Sequence, residues 1–217
     1  MREKFDEQLE KLNSMLTEMG GDCDQVITLV RESLIEGNLQ KCSTVFEIDE
    51  DIDHLERDIE GLCMKLILRQ QPIAKDLRLI SAALKMITDM ERIGDQAADI
   101  ADIIPHLQSR TEQGCRYITE MSTATQKMVI DAVDAYVKKD IKKAEAVIAY
   151  DDIVDDYFIE VKNSLVKSIS DGTRDGEYAI DFLMIAKYFE RIGDHASNIA
   201  EWVVYAVTGT HKGAELF

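Results

Sequence analysis

Glu91 and Asp95 stand four residues apart in the stretch Glu91-Arg92-Ile93-Gly94-Asp95, and Glu190 and Asp194 do the same in an identical stretch 99 residues later. Carboxylates at i and i+4 leave one face of a helix side by side, a spacing suited to holding a cation with oxygen ligands. Upstream of each stretch lies a second pair at the same spacing, Asp49 with Asp53 and Asp151 with Asp155. One such pair means little. With 42 Asp and Glu among 217 residues, about eight arise by chance in a helix-rich chain. The weight lies in recurrence: four acids in each half, at matched positions.

Gly94 and Gly193 strengthen that pattern. Both fall on the apolar stripe of their segments, where the other positions are Ile, Ala, Met, Phe or Val, and glycine inside a helix costs about 1 kcal/mol relative to alanine. A missing Cβ lets a neighbouring helix approach closely at the level of the acids, drawing carboxylates of two helices together. Four carboxylates so close raise one another's pKa values unless a cation sits among them. An all-oxygen set favours Mg²⁺, Mn²⁺, Ca²⁺ or iron over thiolate-type zinc sites. The competing reading is a solvated acidic face, with Arg92 and Arg191 supplying local charge balance. His195 follows Asp194, but its counterpart is Gln96, so a surface or hydrogen-bonding role is expected of it rather than ligation.

The elements that must position these acids follow from periodicity. Phe5, Leu9, Leu12, Leu16, Met19, Cys23, Val26 and Val30 recur at steps of four and three, in phase across Gly20-Gly21. One helix over about residues 3–36 is therefore expected, with a bend possible at the glycines and a stop at Gly37-Asn38. Ile48, Ile52, Leu55, Ile59, Leu62 and Leu66 predict a second helix, ending near Arg69 before the turn from Gln70 to Pro72. Ile80, Ala83, Ile87, Met90, Gly94, Ala97, Ala101 and Ile104 predict a third, closed by Pro105. Helices of about 30 residues, roughly 45 Å long, with short connections make an antiparallel three-helix bundle.

The second half repeats the first. At an offset of 102, Met19, Lys41, Val45, Asp49 and Ile67 match Met121, Lys143, Val147, Asp151 and Ile169. The offset then drops to 99, which predicts a connection three residues shorter around Ser170 to Glu177, and the third stripe returns as Ala179, Phe182, Ala186, Phe189, Gly193, Ala196, Ala200 and Val203. The expected fold is all-α: two tandem three-helix bundles related by an internal repeat, over 1–106 and 107–217, joined near His106 to Glu112. The residues from Thr208 to Phe217 read as a loose tail.

Charge and composition narrow the functions. A net charge of −17 leaves no basic surplus for nucleic acid or for an anionic membrane surface; metal cations or basic protein surfaces are the natural partners. Cys23, Cys42, Cys63 and Cys115 show no C-x-x-C spacing and the N-terminus is not a signal peptide, so a reducing, cytoplasmic setting without disulfides is expected. No apolar run approaches the roughly 20 residues of a membrane span.

The opening FDEQLEKLNSMLTEMG, the junction RQQPIAKDLR from Arg69 to Arg78, and both ERIGD stretches resemble the PhoU family of phosphate-transport regulators, and the likeness runs along essentially the whole chain. The resemblance implies two three-helix bundles carrying acidic motifs that bind metal clusters, iron first, with zinc, magnesium or manganese in some members. By position the implied ligands are Asp49, Asp53, Glu91 and Asp95, then Asp151, Asp155, Glu190 and Asp194. Asn198-Ile199-Ala200 keeps the family's usual tripeptide, whereas Asp99-Ile100-Ala101 brings an extra carboxylate. The implied role is regulatory and non-enzymatic: a homodimer on the cytoplasmic side, held to the membrane through proteins, between the ATPase of a phosphate ABC transporter and a two-component sensor kinase that turns down phosphate-starvation genes.

Two rivals stand beside this reading. A carboxylate-bridged di-metal oxidase needs two Glu-x-x-His pairs, but the chain offers only Asp51 with His54, and the matching position in the second half is Asp156. The other rival is a metal-free structural or interaction bundle. No G-x-x-x-x-G-K-[ST] loop is present, which disfavours an ATPase.

Overall fold

A computed structural model describes residues 2–70, 72–107, 115–173, 175–212 and 214–215. Most of the expected junction between the halves, from 108 to 112, lies outside the described residues, as does Gln71 in the expected turn. Six long helices make up nearly all of the rest: α1 (Arg2–Glu36), α2 (Leu39–Gln70), α3 (Ala74–Ile103), α4 (Cys115–Lys138), α5 (Ile141–Ser170) and α6 (Gly176–Thr208), with a 3₁₀ turn at Ile104–Leu107 after α3. The fold is all-α, with α1–α3 packed as one three-helix bundle and α4–α6 as a second.

Local chemistry sets the ends. Gly37 adopts φ +69° and its N–H donates to the Ser33 carbonyl at 2.9 Å, a left-handed glycine stop for α1. Asn38 Oδ1 then accepts from the Gln40 N–H at 3.1 Å to open α2. Asp140 caps α5 and Asp175 caps α6, each accepting a backbone N–H through its side chain. The seam of α1 is buried at Phe5, Leu12, Leu16, Met19, Cys23, Val26 and Val30, and that of α2 at Ile48, Ile52, Ile59, Leu62 and Leu66.

Two expectations are corrected here, and one glycine gains a role. The second connection is not the shorter one. α2 runs to Gln70 and α3 starts at Ala74, whereas α5 stops at Ser170 and α6 starts at Gly176; the missing residues come out of the helix ends. Gly172, at φ +67°, donates its N–H to the Ile169 carbonyl at 3.1 Å and stops α5 early. The C-terminal segment is not loose where it is described. Gly209, at φ +87°, closes α6, Thr210–His211 (β1) pairs antiparallel with Ala214–Glu215 (β2), and the His211 ring stacks on Trp202 with centroids 4.0 Å apart. Finally, Gly20 lies off the seam of α1 but is buried: a Cβ there would come within 3.1–3.4 Å of the Val133 side chain on α4. Its smallness serves the contact between the two halves.

That contact is extensive. Among the described residues α3 and α6 pack most extensively on one another, and α1 packs on α4, so α2 and α5 lie outermost. α3 is accordingly buried along a second stripe, Leu79, Ala82, Met86, Ile93, Gln96 and Ile100, besides its seam. Polar pairs cross the junction. Gln126 donates to Asp24 at 2.6 Å and to Thr28 at 2.8 Å, and the Tyr136 hydroxyl donates to the Leu79 carbonyl at 2.9 Å.

Candidate functional site

α2 and α3 carry the acids of the first half, and the glycine brings them together. An ideal Cβ on Gly94 would stand 2.5 Å from Asp49 Oδ1 and 3.2 Å from Ile52 Cδ1; the Asp49 carboxylate occupies the space that any other residue would fill. Burial, then the charges of Asp95 and Asp53, push the Asp49 carboxyl up to about 6. Burial and then Asp95 also raise Glu91, against the Arg92 guanidinium. Arg92 Nη1 donates to Asp95 Oδ2 at 2.8 Å, and its Nε lies 3.4 Å from Glu91 Oε2. That last contact is longer than an ordinary N–H···O hydrogen bond, and Glu91 Oε2 is buried without a hydrogen-bond partner among the described residues.

The second half repeats the arrangement more loosely. A Cβ on Gly193 would meet Asp151 Oδ1 at 3.3 Å and Val154 Cγ1 at 3.2 Å. Burial, then Asp194 and Asp155, push Asp151 up to about 6. Burial followed by the charge of Glu190 raises both Asp155 and Asp194. All eight sequence-predicted acids therefore lie in two groups, each joining the second and third helices of one bundle. Among the described residues no three His, Cys, Asp or Glu side chains already stand around a single ion position. The cradle over Gly94, the Glu91 oxygen without a hydrogen bond and the all-carboxylate donor set nevertheless fit the chemistry of a hard cation, around which the side chains would have to converge.

Other expectations resolve residue by residue. Arg92 supplies the local charge balance that the competing reading expects of it. Arg191 instead faces Asp99 across the α3–α6 interface, and the cation paired with Glu190 is Lys187, whose counterpart in the first half is Thr88. The Lys187–Glu190 spacing of three was the available sequence signal. Asp99 interacts with the Tyr188 side chain as well as with Arg191, so that extra carboxylate is engaged between the halves. His195 is a hydrogen-bonding histidine: its Nδ1 lies 2.9 Å from Asp89 Oδ1, which also accepts from Asn198 at 3.3 Å. His54, needed by the oxidase reading, is exposed with Nδ1 against the Glu50 carbonyl.

Comparison with known proteins agrees with this architecture. The PhoU domain model matches residues 16–104 and again 118–203, one match in each bundle. A phosphate-specific transport system accessory protein PhoU homolog of Clostridium acetobutylicum is 35% identical over 96% of this chain and 96% of its own. The homolog of Pseudomonas aeruginosa is 34% identical over 96% of this chain and 87% of its own. The crystal structure of PhoU from Pseudomonas aeruginosa superposes with a TM-score of 0.89 at 35% identity, over 95% of this chain and 100% of that one. The phosphate transport system regulatory protein PhoU from Streptococcus pneumoniae shares the fold at a TM-score of 0.88 and 23% identity, over 95% and 98%. With both halves matched by the same domain, and relatives alike over nearly their full length, the chain belongs to the PhoU family.

Proposed function

We propose that the protein is a non-enzymatic, metal-binding regulator of phosphate uptake. It acts as a cytoplasmic homodimeric adaptor between the ATPase of a phosphate ABC transporter and the sensor kinase that governs phosphate-starvation genes. The observation that carries the metal part is the doubled cradle: a carboxylate seated over a glycine in each bundle, Asp49 over Gly94 and Asp151 over Gly193. The relatives' names as accessory proteins of phosphate-specific transport support the regulatory part.

In this reading Asp49, Asp53, Glu91 and Asp95 hold one metal centre, and Asp151, Asp155, Glu190 and Asp194 hold the other. A bound cation supplies positive charge against mutually repelling carboxylates. Iron is the first expectation, with zinc, magnesium or manganese as alternatives. The chain's own contribution is to fix two helices at a close approach and to crowd acids together, with Asp49, Glu91, Asp151, Asp155 and Asp194 held above their ordinary pKa values, which favours a compensating cation over solvent. Arg92 and Lys187 hold the acids when no ion does, by the ion pairs already described.

That last observation also favours a second reading, a metal-free interaction bundle in which these cations alone offset the acids. Deleting the gene separates regulation from no regulation: phosphate-starvation genes should become derepressed in phosphate-replete cells, and unchanged expression would contradict the proposal. Complementation with the eight-acid variant then separates the readings. Failure to restore repression by a folded variant favours the metal centres, and full restoration favours the metal-free bundle.

A further inference from the structure

A cavity of about 440 Å³ opens where the start of α3 overhangs the end of α6, away from both acidic groups. Ile67, Leu77, Leu84 and the Tyr205 ring make its walls largely apolar, and Arg78 and Ser81, with the Tyr205 hydroxyl, are the polar groups of the lining residues. The volume falls in the range of small-molecule sites, which combine apolar walls with a few fixed polar groups. Its apolar character spills onto the surface. Leu77 is 43% exposed, and Leu68 and Ile73 of the same α2–α3 junction are 76% and 57% exposed, a concentration that marks binding surfaces.

Arg78 gives the cavity its sign. Its Nε is buried and, among the described residues, has no hydrogen-bond partner, although the chain carries 42 acids against 25 basic residues. A guanidinium offers several donors in a fixed fork, which suits carboxylate or phosphate. The cavity also has no twin: the positions matching Leu77, Arg78 and Ser81 in the second half are Gly176, Glu177 and Ile180. The internal repeat, which explains the acidic groups, does not explain this feature. Part of Arg78 has a structural use, since its Cδ and Nε pass 3.8 Å from the Cβ position of Gly209, near the negative end of α6.

We propose that this cavity binds a free anionic amphiphile, an apolar tail bearing one carboxylate, with the tail on Leu77, Leu84 and Tyr205 and the anion on the Arg78 guanidinium. A free amphiphile is favoured over a membrane lipid because a chain of net charge −17 is repelled by an anionic bilayer.

Titration calorimetry of the full chain with decanoate, below its micelle concentration, tests the proposal. Saturable binding of one decanoate per chain is expected, with decanol and the R78Q variant each at least about tenfold weaker, the loss of one charge-assisted contact. A74W, a substitution at an exposed position on the cavity rim, should abolish binding while leaving the melting temperature unchanged. Sedimentation with phosphatidylglycerol vesicles should leave the protein in the supernatant. No saturable binding by the wild type would overturn the proposal, as would unaltered affinity in A74W. R78Q that melts lower but keeps full decanoate affinity would assign Arg78 to the end of α6 alone and overturn it equally. Binding to vesicles that A74W removes would overturn the choice of a free ligand.

Discussion

Asp49 Oδ1 lies 2.5 Å from where the Cβ of residue 94 would be, inside contact distance. A carboxylate on α2 is thus held by an absence on α3, and the same relation recurs between Asp151 and Gly193 at 3.3 Å. The two differ in tightness, and the difference can be tested. Gly94→Ala must swing the Asp49 carboxylate away. Because that carboxylate is the far end of a side chain, and alanine is the better helix former by about 1 kcal/mol, stability should change by less than about 1 kcal/mol. Occupancy of the first metal centre should fall at least about tenfold. Gly193→Ala should disturb the second centre much less. Thermal melts with metal stoichiometry check both; equal occupancy in Gly94→Ala and wild type would remove the glycine from the site.

The raised carboxyls give the metal-free protein an unusual pH response. Asp49 and Asp151, both pushed up to about 6 from an ordinary 3.8, bind protons in the folded state that the unfolded chain has already released. The slope of stability with pH is therefore negative between these values. Their contribution is complete below about 3.8 and is lost as pH rises through about 6. Metal-free protein should melt higher at pH 5 than at pH 7, and Asp49→Asn with Asp151→Asn should flatten the difference while abolishing metal uptake. Differential scanning calorimetry at the two pH values decides it.

Much of this was legible in the sequence. The seams from Phe5 to Val30 and from Ile48 to Leu66 appear as buried stripes, because α2 and the early part of α1 contrast an apolar face with a polar one. The eight acids were legible because they repeat. The second stripe of α3, with Leu79, Met86 and Ile93, was not: a helix buried on two sides loses the contrast from which a face is read. The packing role of Gly20 was not legible, because its partner Val133 is more than a hundred residues away. Lys187 was overlooked because the repeat was the guide and Thr88 stands at the matching place.

Gly20 offers a direct test of how the halves are joined. Gly20→Val drives a branched side chain into Val133, which a Cβ alone would already meet at 3.1–3.4 Å. A loss of about 1–3 kcal/mol is expected from such overpacking, with partial recovery in Gly20→Val, Val133→Ala. Denaturant midpoints of the four proteins in this cycle measure the coupling; simple additivity would place the strain elsewhere.

The α3–α6 interface also holds a polar contact that the sequence left open. His195→Ala removes the partner of Asp89, which lies 2.9 Å away, and leaves a largely buried carboxylate with Asn198 alone. A loss of about 1.5–3 kcal/mol is expected for one hydrogen bond to a charged group. An unchanged urea midpoint would show that Asn198 or solvent suffices.

The central claim is metal held by the paired acids, and elemental analysis tests it most directly. Protein purified without chelator or nickel affinity should carry bound metal, iron foremost. Glu91→Ala with Asp95→Ala should lose the share of the first centre, Glu190→Ala with Asp194→Ala that of the second, and the four together all of it. Wild-type protein without stoichiometric metal, or a Glu91→Ala, Asp95→Ala variant that keeps the full wild-type content per subunit, would contradict the assignment.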